Sequence, residues 1–143
     1  MKNSVKILVM LLLVSAASCM TACTEPADSD MLVGRWLLDR ATETVSTTSG
    51  DVQSHDLEGY AGQTLELAED GVCCRVDRGD TTFYMWYLAE GRKLLLAEGT
   101  LVVEDYTIDD LTDKQLILSH AYIYYDSLTD VRMHCLYKFE YTK

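Results

Sequence analysis

The chain has 143 residues, a formal net charge of −11 and 48% apolar residues, which suits one domain with a sizeable core and not two. So acidic a surface repels phosphate backbones and anionic lipid headgroups. Nucleic acid is therefore not an expected partner, and membrane attachment is expected only through a covalent lipid.

Residues 1–22 open the chain with a short basic start at Lys2 and Lys6, an apolar stretch from Ile7 to Val14, and then small residues. That order describes a secretory signal peptide, too short to remain in a bilayer as a spanning helix. Met20-Thr21-Ala22-Cys23 resembles a bacterial lipobox, in which Cys23 is acylated and becomes the mature N-terminus. Cys19, after Ala16-Ala17-Ser18, is the alternative lipidation site, and an ordinary signal peptide without lipid is the third reading. Loss of residues 1–22, which hold two lysines and no acid, takes the formal charge from −11 to −13. Residues 23–30 then form an acidic tether carrying the only proline, and residues 31–143 form the domain. Threonine after Cys23, where inner-membrane lipoproteins resemble one another in carrying aspartate, points to the outer membrane, on its periplasmic or surface face.

From residue 31 onward apolar residues recur with period two and no segment holds a helical period. Leu32 to Thr44 reads as the first strand, with Leu32, Gly34, Trp36 and Leu38 on one face. Residues 45–62 are rich in Ser, Thr, Gly and Asp and read as the longest loop, with room for a short helix around Leu57 to Ala61. Thr64 to Ala68 and Val72 to Arg78 flank Glu69-Asp70-Gly71, and Thr81 to Ala89 and Lys93 to Glu98 flank Glu90-Gly91-Arg92. Both are hairpin signals. Leu101 to Leu111 and Gln115 to Tyr125 follow, joined by Thr112-Asp113-Lys114. The last strand, Val131 to Tyr141, alternates cleanly: Val131, Met133, Cys135, Tyr137, Phe139 and Tyr141 share the buried face. About eight mostly short antiparallel strands with tight turns predict an all-β, up-and-down barrel, which removes the exposed edges of an open sheet. Cys135 shares a face with only one of Cys73 and Cys74, so at most one disulfide is open to these three cysteines, and buried free thiols are the expected state.

Leu32-Val33-Gly34-Arg35-Trp36, the Asp70-Gly71 turn, Trp86-Tyr87-Leu88, Leu94-x-Leu96, the run Ile108 to Leu116 and Tyr137-x-Phe139 occur in an order that resembles small bacterial lipocalin-like domains. The likeness spans residues 31–141. It implies a barrel in which the glycine of G-x-W allows close strand approach and Trp36 plugs the closed end. Two features of larger lipocalins find no counterpart: a helix after the barrel, and an arginine packed over the tryptophan, since Arg132 and Lys138 fall on the outer face.

Strand parity sends Trp36, Tyr84, Trp86, His120, Tyr122, Tyr124, Met133 and Tyr137 inward, an aromatic lining with hydroxyls that suits a flat or amphipathic ligand. An eight-stranded barrel is also narrow enough to pack solid. His55, His120 and His134 lie on separate segments, and no Cys/His spacing or calcium-loop pattern calls for a metal. Ser119-His120 lacks the strand–turn–helix elbow of a nucleophile, and Arg78-Gly79-Asp80 reads as turn chemistry. No catalytic residues, metal or cofactor are expected. A small apolar or amphipathic ligand in the barrel is the leading expectation. Its rival is a filled barrel that serves as an interaction or structural module for another envelope protein.

Overall fold

A computed structural model describes residues 28–90 and 92–143; the signal peptide, Cys19 and Cys23 lie outside the described residues. One short helix, α1 (Asp28–Leu32), precedes nine strands: β1 (Gly34–Thr47), β2 (Val52–Asp56), β3 (Thr64–Leu67), β4 (Val72–Asp77), β5 (Asp80–Ala89), β6 (Lys93–Glu98), β7 (Leu101–Leu111), β8 (Gln115–Asp126) and β9 (Val131–Thr142). Each of β3 to β9 pairs antiparallel with the next, β1 pairs with β3, and β1 with β9 closes the ring. The result is an eight-stranded up-and-down barrel, as the alternation predicts.

Three details differ from the sequence reading. Leu32 does not open β1 but ends α1, which takes in the last three residues of the expected tether. The expected loop over residues 45–62 holds the end of β1 and all of β2, which pairs Val52–Asp56 with Ser46–Thr42. No helix forms at Leu57–Ala61, where the chain turns instead. Five strands also run ten residues or more, with β1 at 14, so the barrel is deeper than short strands imply.

Inward parity builds the core. Trp36, Leu38, Leu65, Leu67, Cys73, Leu94, Leu96, Leu116 and Leu118 are all at most 1% exposed, and each such side chain stabilises by about 2 kcal/mol through removal from water. Extra residues at Asp39 and Asp109 shift the register of β1 on β9 and of β7 on β8. These bulges bend the strands and restart the parity, which lets Ala41 and Leu111 face inward. Cys73, Cys74 and Cys135 are free thiols. Cys73 lies in the core, where burial pushes its thiol up to about 12 against the partial opposition of Arg75.

One end of the barrel is shut. The Trp36 indole N–H donates to the Leu32 carbonyl at 2.8 Å, fastening α1 beneath the ring. Asp28 of that helix pairs with Arg92 at 3.3 Å. Trp86 likewise donates to Ala68 at 2.8 Å. The cation missing from the sequence reading is Lys143, whose Nζ sits 4.6 Å from the Trp36 ring centroid and donates to the Met31 carbonyl at 3.0 Å. Gly34 makes room for it: its φ is +135°, and a Cβ there would run into the Lys143 Cε.

Candidate functional site

The other end opens because two strand pairs part. β7 and β8 pair only from Thr107/Ser119 to Leu111/Leu116, whereas β8 stays on β9 out to Asp126/Val131. Beyond Ser119 the inner face of β8 and β9 therefore turns towards a gap in the wall. His120 spans that gap: its Nδ1 lies 2.7 Å from the Asp105 carbonyl of β7. A carbonyl only accepts, so Nδ1 carries a proton and donates it to this bond. The Asp105 carboxylate stands 3.4 Å from the same nitrogen.

Behind the gap lies a cavity of about 210 Å³ lined by Val103, Glu104, Tyr106, His120, Tyr137 and Phe139. Its rings form a continuous ladder. Tyr122 stacks on Tyr137 with centroids 5.6 Å apart, Tyr137 on Phe139 at 6.3 Å, and Tyr106 meets Phe139 edge-on at 5.8 Å. Cross-strand pairing of His120 with Tyr137 and Tyr122 with Cys135 puts these residues on one face at neighbouring rungs. Tyr60, on the loop between β2 and β3, leans over the mouth with its ring 6.4 Å from Phe139.

An ion pair crosses the interior beneath the rings. Arg75 on β4 donates Nη1 to Glu104 Oε1 on β7 at 2.8 Å, its Nη2 bonds the second carboxylate oxygen, and the Tyr106 hydroxyl donates to that same oxygen. Burial alone would raise the Glu104 carboxyl, but the hydrogen bonds from Arg75 and Tyr106 outweigh it and hold the group below the usual carboxylate range. Burial likewise disfavours the Arg75 charge, and the bond to Glu104 overrides it, so the guanidinium stays protonated. Arg75 also lies over the Tyr84 ring at 5.2 Å. Its Nε is buried without a hydrogen-bond partner among the described residues.

The pair divides the open end. On the Arg75 side lies a polar hollow of about 340 Å³ with Tyr60, Gln63, Asp77, Arg78, Asp80 and Tyr84 among its walls. The Arg78-Gly79 turn at its rim has φ of 47° and 92°, the two positive values of a tight type I′ hairpin. On the Glu104 side lies the aromatic cavity. Further out along β1, Glu43 faces Tyr137 across the β1–β9 pairing and meets His55 at 3.0 Å. Hydrogen bonding to Tyr122, burial and a hydrogen bond to Glu43, in that order, raise the Tyr137 phenol above its ordinary value.

The structure gathers His120, Tyr122 and Tyr137 from the sequence-predicted set into one cluster. Tyr124 and Met133 pair with each other farther out on β8 and β9, with Tyr124 54% exposed. Tyr84 lines the polar hollow instead, and Trp36 and Trp86 are buried at the closed end, each spending its indole N–H on a backbone carbonyl. Sequence reasoning missed Arg75, Glu104, Tyr106 and Tyr60. Counting by twos from Cys73 and Ile108 brings the first three inward. Among the described residues no group of three or more His, Cys, Asp or Glu side chains is placed to hold a metal ion. No family model matches the chain, and no curated protein or solved structure matches it.

Proposed function

We propose that the protein is a lipocalin-like envelope lipoprotein, held at the outer membrane by acylated Cys23, whose barrel binds a small apolar or amphipathic molecule without catalysing a reaction. The observation that carries this reading is the parting of β7 from β8 over a cavity walled by aromatic rings. A core that only needed filling would close that wall with ladder hydrogen bonds. Here the upper wall is left open, and a histidine side chain replaces the missing backbone pairs. Apolar walls supply burial and the hydroxyls of Tyr106 and Tyr137 supply orientation, the usual division of work in a small-molecule site.

Native mass spectrometry of the protein purified from its own host tests the binding. A retained small molecule is expected, and a consistently empty barrel that co-purifies with a second protein would reject the reading. Cys23→Ala is expected to release the protein from membranes. If Cys19→Ala releases it and Cys23→Ala does not, the anchor is misassigned.

One observation favours the rival interaction module. The outer face of β4, β5 and β6 carries Val72, Phe83, Met85 and Ala97 around an open depression, with Phe83 65% exposed. Exposed apolar patches of this kind mark protein contacts. Phe83→Ser would abolish capture of an envelope partner under this reading and leave a ligand in the mouth undisturbed.

A further inference from the structure

We propose that the occupant of the aromatic cavity is an organic cation, a protonated or quaternary amine presented as a small ammonium group. This rests on the ligand-binding reading above and narrows it to one chemical class.

Three features select positive charge. The first is the wall. Tyr106, Tyr137 and Phe139 line the space and Tyr122 stacks on Tyr137, so aromatic rings bound much of a volume of about 210 Å³. Aromatic faces attract ammonium groups through the ring quadrupole, most strongly where water is excluded. That volume falls below the ~300 Å³ typical of drug-sized ligands, which suits a head no larger than trimethylammonium.

The second feature is the arrangement of charge. Glu104 lines the cavity and is ionised, and Arg75 beside it is committed to that carboxylate through two hydrogen bonds. Glu43 adds a second carboxylate, opposite Tyr137 across the β1–β9 pairing. The third feature is His120. Its Nδ1 is spent on the Asp105 carbonyl and the Asp105 carboxylate stands 3.4 Å away, so the ring brings a further acid beside the cavity. The formal charge of −11 for the whole chain adds long-range attraction for cations.

Calorimetric titration of the intact protein with choline and with its neutral isostere 3,3-dimethylbutan-1-ol tests the proposal. Saturable choline binding is expected, at least about tenfold tighter than the isostere, a gap that corresponds to ~1.4 kcal/mol and lies within reach of a desolvated cation–π site. Equal or tighter binding of the isostere would overturn it, as would no saturation by choline or tetramethylammonium up to tens of millimolar. Glu43→Gln is expected to weaken choline several-fold. Tyr137→Leu is expected to abolish it, with circular dichroism confirming the fold, and an unchanged affinity in both variants would reject the site.

Glycerophosphocholine separates the two sources of such a group. Tighter binding than choline marks a lipid headgroup, and weaker binding marks a free amine. A neutral fluorescent probe, N-phenyl-1-naphthylamine, separates the two levels of the reading. If the probe binds and no cation displaces it, the ammonium assignment fails while the amphipathic site stands. If neither binds, both fail.

Discussion

Gly34 and Lys143 stand 109 positions apart in the chain and share one small space under Trp36. A residue with a Cβ at φ +135° is strained, and the added atom would collide with the lysine stem. Gly34→Ala is therefore expected to cost about 2 kcal/mol in urea unfolding. Combined with Lys143→Ala it should cost less than the sum of the two single changes, because the second removes the atom that the first strikes. Strictly additive costs would show that backbone strain alone is at issue. Glu104 makes a different expectation. Its folded carboxyl titrates below its unfolded value, so its stabilisation is complete above the ordinary carboxylate range and drains away as pH falls through the folded value. Glu104→Gln should cost about 3 kcal/mol near neutrality by leaving Arg75 charged and unpaired in the barrel, and should flatten the loss of stability on acidification. Urea midpoints measured across the acid range would show whether wild type and variant converge as expected.

At the level of elements, the long strands were legible and the short ones were not. β9 alternates because one face is buried and the other wet, so a count by twos from Tyr141 to Val131 finds every inward residue. β2 carries no such pattern. All five of its residues are exposed, and it is held by backbone pairing to β1 rather than by burial. α1 is likewise too short for a periodic signal and exists because the Trp36 indole fastens its last carbonyl. Parity also fails at Asp39 and Asp109, where one extra residue in a bulge hands the next side chain to the other face. The site was half legible for the same reason. His120, Tyr122 and Tyr137 follow from alternation on β8 and β9, but the gap that exposes them depends on where β7 leaves β8, which no local pattern records. Amide hydrogen exchange checks this division. β2 and residues 120–126 of β8, each with one edge unpaired, should exchange well ahead of residues 116–118, which are paired on both sides. Uniform protection along β8 would mean that the wall is closed.

The molecule as a whole has two dissimilar ends. The closed one is apolar and pinned by α1, Trp36 and Lys143. The open one holds the Arg75–Glu104 pair, the ring ladder and the polar hollow around Arg78 and Asp80. Charge is distributed to match: the buried Arg75 and Glu104 charges offset each other, so the acidity of the surface acts on solutes approaching the mouth rather than against the core. The chain enters this body through α1, at the closed end, and only five positions separate Asp28 from Cys23. Fully extended, such a span reaches roughly 17 Å. With Cys23 acylated as proposed, the barrel stands on its shut end with the bilayer close beneath it and the mouth facing outward. In that arrangement the mouth meets solutes of the aqueous compartment, and a headgroup bound there would come from somewhere other than the leaflet that holds the anchor.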